Sequence, residues 1–314
     1  LGGAGQGAGI SRAGRAYYLG MRTDGFERAS ALLPGDMRQA ALALPERVKA
    51  SAEEFRLRAG SPPSLLGREG ERRLAPRPVT PGDLDALLVS ATRASAHTAL
   101  ESVASGFVTV RGGCRVGLCG VVSESEGRVM TIRRLTSAAL RIPREALGCA
   151  DGLFPALTRG GFEDTLLLSP PGGGKTTLLR ELIRRLSEQM RVSLLDERGE
   201  VAGVWEGTPE FDLGPRTDVL TGADKRSGAA MLLRSMNPEL LAMDEITSPE
   251  DLEAAALAAG CGVKLLASAH ALGPEDMRRR GLYVRLLELG IFRRFVIIRP
   301  GPSGREYELR EAEA

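Results

Sequence analysis

The chain has 314 residues, of which 43% are hydrophobic, so it is long enough to bury one large core or two modest ones. Its 42 basic and 40 acidic residues leave a formal net charge of +2, which gives no overall electrostatic attraction to nucleic acid or to an anionic membrane. The four cysteines lack C-x-x-C spacing and there are only two histidines, which argues against a zinc site and against a disulfide framework.

The N-terminal stretch is rich in glycine and alanine and contains no apolar signal-peptide core. Residues 1–35 are assigned to a leader, and residues 1–22 are predicted to be disordered because they bury too little apolar surface to offset the entropy of ordering. Further along, the apolar stretch Leu252–Leu272 contains Glu253 and Lys264 within the roughly 20 residues that a membrane span requires. We therefore expect a cytoplasmic protein without direct membrane insertion.

Residues 36–150 are predicted to form an α+β domain. A helical pattern over 36–52 is interrupted at Pro45, and an alternating strand pattern follows within 53–66. Thr80 is suited to cap a helix that runs to about residue 94. The elements that complete this domain are a second helix over 96–104 and a small antiparallel sheet with strands at 107–110, 115–121 and 129–132.

The pattern changes after residue 150, because apolar strands now alternate with helical stretches. The predicted strands are 165–169, 192–196, 240–244 and 263–269, and the predicted helices are 176–190, 223–236 and 249–259. Strands separated by helices form a parallel sheet that is covered on both faces. Two tail segments, 295–298 and 306–309, are predicted to be edge strands. Residues 151–314 are therefore predicted to form an α/β nucleotide-binding domain.

A glycine-rich turn joins the first of these strands to its helix. Its segment SPPGGGKTT contains the last three defined residues of the G-x-x-x-x-G-K-[ST] pattern, while Ser169 occupies the first glycine position. Consecutive glycines let backbone N–H groups turn toward an anion, Lys175 supplies a charge for the β- and γ-phosphates, and Thr176 supplies a hydroxyl for Mg²⁺. The predicted ATP-binding residues are Ser169, Pro170, Pro171, Gly172, Gly173, Gly174, Lys175, Thr176 and Thr177.

Acidic side chains follow two of the predicted strands. Asp244 and Glu245 end the run ELLAMDEI, where Asp244 is predicted to hold Mg²⁺ through its water shell and Glu245 to polarise the water that attacks the γ-phosphate. Glu197 follows the strand after the phosphate-loop helix and is a second candidate for ordering water or metal. The alternative for Glu197 is a solvated turn whose charge is balanced by Arg198.

His270 closes the strand that follows the Asp244 strand along the chain. A neutral imidazole can donate one hydrogen bond while it accepts another, which suits a sensor of the γ-phosphate at this position. The alternative is a structural histidine.

Taken together, these segments resemble the stage III sporulation protein AA family. The likeness extends from about residue 44 to residue 309 and is carried by TVRGGCRVGLCG, TIRRLTS, SPPGGGKTTLLRE, LLDERGEVAG, the run from Asp218 to Ile246, and LLASAHA. That family is similar in turn to the hexameric traffic ATPases of type II and type IV secretion and of pilus retraction, in which an N-terminal α+β domain precedes a RecA-like motor. The resemblance implies nucleotide, metal or catalytic roles for Lys175, Thr176, Asp244, Glu245, Glu197 and His270.

The resemblance also implies that Arg133 and Arg134, in TIRRL, bring positive charge toward the nucleotide. Two features depart from the family pattern. Ser169 stands in the phosphate loop where a glycine belongs, and the glycine-rich leader has no counterpart. Because the phosphate-contacting residues are intact, these departures leave the prediction of ATP binding in place.

The expected function is that of a cytoplasmic ATPase that uses ATP and Mg²⁺ and works as a homo-oligomeric ring, expected to be a hexamer. It would energise a secretion-like channel or its assembly during sporulation, and membrane proteins of that channel would hold it at the inner face of a membrane. The alternative is an ATP-binding scaffold with little turnover that recruits membrane channel proteins. A RecA-like nucleic-acid motor is disfavoured by the charge balance and by an aromatic content of 4%.

Overall fold

The computed structural model describes residues 24–67, 69–92, 106–125, 128–301 and 304–312, and the chain forms two compact units. The N-terminal unit contains the described residues up to Glu145 together with Gly203–Phe211. The C-terminal unit contains Ala146–Ala202 and the described residues from Asp212 onward. The sequence predicted a single boundary after residue 150, whereas the structure also groups Gly203–Phe211 with the N-terminal unit.

Order begins earlier along the chain than the predicted leader 1–35 allowed. A helix, α1, spans Asp24–Leu32, and its Phe26 and Ala29 are buried. The ring of Phe26 lies 5.3 Å from the ring of Phe55, centroid to centroid. Apolar side chains three residues apart on a helix share one face. The overall composition of the leader gives no sign of this apolar face. Residues 1–23 of the leader lie outside the described part of the chain.

The described helices of the N-terminal unit are α1, α2 (Gly35–Leu42), α3 (Glu46–Ser51) and α4 (Pro81–Thr92), and its strands are β1 (Ala52–Arg58), β2 (Ser64–Gly67), β3 (Gly70–Arg73), β4 (Phe107–Val110), β5 (Cys114–Ser125) and β6 (Arg128–Arg141). The strands form a six-stranded antiparallel sheet in the order β3-β2-β1-β6-β5-β4. The predicted sheet is present but larger, because β1 pairs with β6, and β2 and β3 extend it. The predicted helix over 96–104 lies outside the described residues.

Thr80 caps helix α4, as the sequence predicted. The Asp83 N–H donates to Thr80 Oγ1 at 3.2 Å, and the Thr80 N–H donates to Asp83 Oδ2 at 2.7 Å, so each residue satisfies a backbone donor of the other. Arg77 donates to the carboxylates of both Asp83 and Asp36. The hydrogen bonds from Arg77 hold the pKa of Asp83 well below its ordinary value of 3.8. This ion-paired cluster ties the start of α4 to α2.

The strands of the C-terminal unit are β7 (Thr165–Leu168), β8 (Val192–Asp196), β9 (Thr217–Thr221), β10 (Leu240–Met243), β11 (Lys264–Ala269), β12 (Arg294–Gly301) and β13 (Gly304–Glu311). They form a seven-stranded sheet in the order β13-β12-β7-β11-β10-β8-β9. All neighbouring strands are parallel except β12 and β13, which confirms the predicted parallel sheet. The helices are α5 (Phe154–Thr158), α6 (Lys175–Leu186), α7 (Lys225–Ser235), α8 (Pro249–Gly260), α9 (Pro274–Met277) and α10 (Gly281–Glu288).

Two details of this sheet differ from the prediction. Strand β12 was predicted to be an edge strand, but it lies between β7 and β13 and pairs in parallel with β7. Its run Phe295–Ile298 is buried, as expected of an interior strand. Strand β9 was missed, because its sequence TDVLT is only partly buried and carries a weak apolar signal.

The strand order brings the carboxyl ends of four strands together. Strands β7, β11, β10 and β8 are neighbours in the sheet, and they end at Leu168, Ala269, Met243 and Asp196. In a parallel sheet these ends lie along one edge, where ligands of open α/β folds bind. The site residues predicted for this unit lie in the loops that follow these ends and in the first turn of helix α6.

None of the helices within the described ranges is both long enough and apolar enough to cross a membrane.

Candidate active site

The phosphate loop links β7 to α6 and depends on each of its three glycines. Gly172 and Gly174 have φ values of 69° and 99°, in the left-handed region that favours glycine. A Cβ atom at Gly173 would lie 2.1 Å from Ser169 Oγ. Ser169 itself is fully buried and donates its hydroxyl hydrogen bond to the Pro170 carbonyl at 2.9 Å. The loop therefore accommodates serine at the first glycine position because the facing residue has no side chain.

Lys175 is the first residue of helix α6, and only 4% of its surface is exposed. Its Nζ lies 3.3 Å from the Ser169 carbonyl oxygen, 2.8 Å from His270 Nδ1 and 3.9 Å from Glu245 Oε1. Burial lowers the pKa of the Lys175 ammonium below its ordinary value, and the negative charges of Glu245 and Asp244 oppose this shift. Because the Lys175 ammonium is already buried, it can exchange carbonyl oxygens for phosphate oxygens without a further loss of hydration.

Thr176 and Asp244 meet at the end of strand β10. The hydroxyl of Thr176 donates to Asp244 Oδ2 at 3.2 Å. The other carboxylate oxygen, Oδ1, accepts from Ser268 Oγ at 2.8 Å and from the Glu245 N–H at 3.0 Å. Burial raises the pKa of Asp244, an effect that Ser268 opposes and the charge of Glu245 reinforces.

These two side chains fit the ligand set that Mg²⁺ uses beside phosphates. Magnesium is usually held by one or two protein oxygen ligands together with water and substrate phosphates. Here one hydroxyl and one oriented carboxylate are within hydrogen-bond distance of each other beside the phosphate loop. Thr177, also predicted to contact nucleotide, is half-buried in the first turn of α6.

Glu245 and His270 form a connected pair next to Lys175. His270 Nε2 lies 2.8 Å from Glu245 Oε1, while Nδ1 faces the Lys175 ammonium. An imidazole with its proton on Nε2 satisfies both contacts, because it accepts from lysine and donates to the carboxylate. The Glu245 backbone has a φ of 32°, an uncommon value for a residue with a side chain. Backbone strain of this kind persists only where neighbouring contacts impose it.

The acidic residues after β8 have distinct positions. Asp196 is buried, and its carboxylate accepts the N–H groups of Glu200, Val201 and Ala202 at 2.8 to 3.0 Å. Burial raises the pKa of Asp196. Asp196 thus shapes the turn. Glu197 is about half exposed, and its Oε2 lies 3.4 Å from Lys225 Nζ. The alternative prediction balanced the charge of Glu197 with Arg198, but the cation that contacts Glu197 in the structure is Lys225.

One small cleft contains many of these groups. It is lined by Asp196, Glu197, Arg198, Glu200, Lys225, Asp244, Glu245 and Thr247. Most of its lining residues are acidic, which suits a site that receives a metal ion together with a phosphate group.

Arg133 and Arg134 belong to a different part of the chain. Both are exposed on β6 in the N-terminal unit, and Arg134 is paired with Val121 of β5. The C-terminal unit brings together all the other predicted site residues. The contribution of these two arginines remains a prediction from the family resemblance.

Three residues that contact the site were not predicted from the sequence. Ser268 orients Asp244, Lys225 contacts Glu197 and the Glu245 carbonyl, and Arg305 donates to the Gly172 carbonyl at 2.9 Å. Ser268 lies two positions before His270, so strand alternation could have placed it on the same face. Neither of the basic residues carries such a signal, because each approaches the site only through the tertiary fold.

Comparison with known proteins identifies relatives of both sequence and fold. The model of the family described as sporulation stage III, protein AA, matches residues 27–306. Stage III sporulation protein AA of Bacillus subtilis (strain 168) is 36% identical over 271 residues, which cover 84% of this chain and 88% of that protein.

Solved structures with the same fold include an ATPase and a pilus retraction motor. The Legionella pneumophila ATPase DotB aligns with a TM-score of 0.54 and 18% identity over 84% of this chain and 77% of its own. The pilus retraction motor PilT with bound ADP aligns with a TM-score of 0.54 and 22% identity, over 84% of this chain and 80% of its own. These likenesses confirm the predicted RecA-like P-loop fold.

Proposed function

The chain belongs to the stage III sporulation protein AA family, and on that premise we propose that it is a P-loop ATPase that hydrolyses ATP with Mg²⁺. The contact between Thr176 Oγ1 and Asp244 Oδ2 at 3.2 Å carries the proposal. This contact supports the proposal because the two residues predicted to hold Mg²⁺ are within hydrogen-bond distance of each other next to the phosphate loop, as P-loop ATP hydrolysis requires.

The residues of the site divide the work of hydrolysis among them. Backbone N–H groups of the loop and the Lys175 ammonium bind the phosphates, while Thr176 and Asp244 hold Mg²⁺. When bound there, Mg²⁺ would supply positive charge to neutralise the charge that develops on the phosphate oxygens. Glu245 polarises the attacking water, and Glu197 is a second group that orders water in the cleft.

The contacts of Lys175 suggest how nucleotide binding prepares Glu245. Lys175 Nζ lies beside His270 and Glu245. Phosphate oxygens of a bound nucleotide would compete for the ammonium, and a lysine turned toward them would no longer balance the charge of the Glu245 carboxylate. His270, whose Nε2 lies 2.8 Å from Glu245 Oε1, would then orient this carboxylate toward water. His270 therefore senses the γ-phosphate through Lys175 and Glu245.

The proposed assembly is a homo-oligomeric ring, expected to be a hexamer, in which Arg133 and Arg134 bring positive charge to a nucleotide. The family description and the likeness to the ATPase DotB and the motor PilT support the proposal of an ATPase that acts in sporulation. The ring acts in the cytoplasm, where membrane proteins of a sporulation channel hold it at the inner face of the membrane. ATP turnover energises that channel or its assembly.

The test is release of phosphate from ATP by the purified chain with and without Mg²⁺. Lys175→Ala is expected to lower kcat by at least about 100-fold, since it removes the charge that stabilises the transferring phosphate. Lys264→Ala is the matched control. Lys264 lies at the opposite end of β11 from His270, where it pairs with Glu163 at 2.8 Å, so its loss should leave turnover within about twofold.

Two other results would redirect the assignment. Equal rates for the wild type and Lys175→Ala would remove the hydrolase proposal. Tight ATP binding without phosphate release from the wild type would instead assign the scaffold that recruits membrane proteins.

A further inference from the structure

Lys225 is a buried lysine to which the proposed hydrolysis of ATP assigns no role. It begins helix α7, and only 7% of its surface is exposed. Burying an ammonium is costly unless acceptors replace its water. Three acceptors surround Nζ: the Glu245 carbonyl oxygen at 2.9 Å, Asp251 Oδ1 at 3.2 Å and Glu197 Oε2 at 3.4 Å. They come from the loop after β10, from helix α8 and from the loop after β8.

These contacts hold Glu245 from its backbone. Its carbonyl oxygen accepts from Lys225, and its N–H donates to Asp244 Oδ1 and Ser268 Oγ at 3.0 and 3.1 Å. Both peptide groups that flank this residue are therefore anchored. The φ of 32° at Glu245 requires such anchoring, because a residue with a side chain does not keep this conformation unsupported.

Asp251 extends the same support along the loop. While Oδ1 faces Lys225, Oδ2 accepts the N–H groups of Thr247 and Ser248 at 2.7 and 3.0 Å. Ser248 in turn caps helix α8 through a reciprocal capping box with Asp251. The segment from Glu245 to Ser248 is thus bound at successive backbone groups by Lys225 and its partner.

We propose that Lys225 is a positioning residue that fixes the Glu245 backbone and the Glu197 side chain for water polarisation in this site. The inference rests on the proposed ATPase function. An ammonium has three N–H donors, and three acceptors already surround this one, so no donor remains for a phosphate. Lys225 consequently acts through the two glutamates and not on the nucleotide.

A simpler explanation is that Lys225 only joins helices α7 and α8. The chain offers a matched control for that explanation, because Arg226, the next residue, pairs with Glu253 of α8 at 3.0 Å. Both partners of this second pair are more than half exposed, and neither lines the cleft. Arg226→Gln removes a link between the same two helices while leaving the cleft untouched.

The experiment compares Lys225→Met and Arg226→Gln with the wild type. Three quantities are measured: kcat for ATP, the Kd of a nonhydrolysable ATP analogue with Mg²⁺, and amide hydrogen exchange of residues 244–248. For Lys225→Met we expect kcat to fall at least about 10-fold, as for loss of other supporting hydrogen bonds, with the analogue Kd within about threefold. Exchange of 244–248 should accelerate by about 10-fold or more. Arg226→Gln should match the wild type in all three.

The proposal is overturned if Lys225→Met keeps kcat within about threefold of the wild type, or if its analogue Kd weakens as much as kcat falls. If Lys225→Met does not fold, Lys225→Gln takes its place, because its amide can still donate to the Glu245 carbonyl but carries no charge for the acidic partners. Lys225→Gln should then show an intermediate kcat with unchanged analogue binding, and a wild-type kcat would sink the idea.

Failure of the ATPase proposal is recognised separately. It appears as absence of turnover in the wild type itself. In that case hydrogen exchange decides the role of Lys225: faster exchange of 244–248 in Lys225→Met alone supports the positioning role, and unchanged exchange contradicts it.

Discussion

At the scale of single residues, the site is organised by side chains that orient other side chains. Asp244 has both carboxylate oxygens occupied, one by Thr176 and the other by Ser268 and the Glu245 N–H. Burial raises its pKa, so burial opposes the ionised form of this carboxyl. A cation near Oδ2 would favour the ionised form. The pKa of Asp244 should therefore fall when a metal ion binds beside it.

Ser268 is expected to affect Mg²⁺ binding through Asp244. Ser268→Ala removes the 2.8 Å hydrogen bond to Asp244 Oδ1 and also an acceptor for the Glu245 N–H. Loss of an orienting partner behind a metal ligand commonly weakens metal affinity by about 10-fold or more. We expect the Mg²⁺ concentration that gives half-maximal ATP turnover to rise by about that factor, measured by titrating Mg²⁺ at saturating ATP.

Ser193 is the matched control for Ser268. It is fully buried in β8 of the same unit, and within the described part of the chain its hydroxyl has no hydrogen-bond partner. Ser193→Ala should leave the Mg²⁺ dependence unchanged and should not lower stability, since it removes an unsatisfied buried polar atom. An unchanged Mg²⁺ requirement in Ser268→Ala would show that Asp244 needs no orienting partner.

At the scale of elements, the segment Gly203–Phe211 is unusual because it lies in the N-terminal unit while its flanks lie in the C-terminal unit. The Gly112 N–H donates to Glu210 Oε2 at 2.9 Å, and the guanidinium of Arg111 lies 5.9 Å from the centre of the Trp205 ring. The chain enters this segment directly after the turn held by Asp196. A covalent path thus joins the cleft to the N-terminal unit.

Gly113 tests how firmly this segment is packed. Its φ is +75°, and a Cβ atom there would lie 2.3 Å from Cζ of the Phe211 ring. Gly113→Ala should therefore suffer both the backbone strain of a left-handed alanine and overpacking against Phe211, a total of about 3 kcal/mol. The free energy of unfolding, measured by urea titration with the fluorescence of the single tryptophan, Trp205, reports the loss.

Gly60 separates these two contributions. It has a φ of +78°, and among the described residues other than Gly60 and its two chain neighbours no atom lies within 4 Å of the Cβ position. Gly60→Ala should lose only the backbone part, about 1 kcal/mol. If both substitutions destabilise the unit equally, Phe211 does not pack on Gly113 in solution.

At the scale of the whole molecule, the chain has an N-terminal unit with an antiparallel sheet and a C-terminal unit with a mainly parallel sheet, and it shares its fold with DotB and PilT. Family membership agrees with the resemblance inferred from the sequence motifs. The ring is the part of the proposal that involves more than one chain. It is also the part most directly linked to work on a membrane channel.

Assembly gives the prediction at this scale. With Mg²⁺ and a nonhydrolysable ATP analogue we expect the 33.4 kDa chain to form a closed ring of six copies, about 200 kDa, because a head-to-tail interface closes only at a fixed number of subunits. Light scattering after size-exclusion chromatography measures the mass with and without the analogue.

Lys175→Ala serves as the control for nucleotide-dependent assembly and should stay at the lower mass under both conditions. A wild type that remains monomeric at concentrations that saturate the analogue site would contradict the ring. The ATPase assignment itself would survive that result, because the residues proposed to bind phosphate and Mg²⁺ all belong to the C-terminal unit of one chain.

Local patterns were sufficient for the features that depend on near neighbours in the chain. The buried run Thr165–Leu168, the triple glycine and the amphipathic helix after it predict a phosphate loop, and alternation of strands with helices predicts a parallel sheet. Such signals survive because periodicity and turn chemistry act over a few residues. Thr80 was predicted as a cap for the same reason.

Other features were decided only when distant segments met. Lys225 looks like an ordinary surface lysine at a helix start, yet acceptors from three separate loops and helices bury it. Strand β12 was predicted to be an edge strand in the tail of the sequence, but it is an interior strand because β13 folds back beside it. Burial and pairing of this kind depend on which segments approach in space, and the interactions that choose among such approaches are summed over the whole core, where no single stretch of sequence records them.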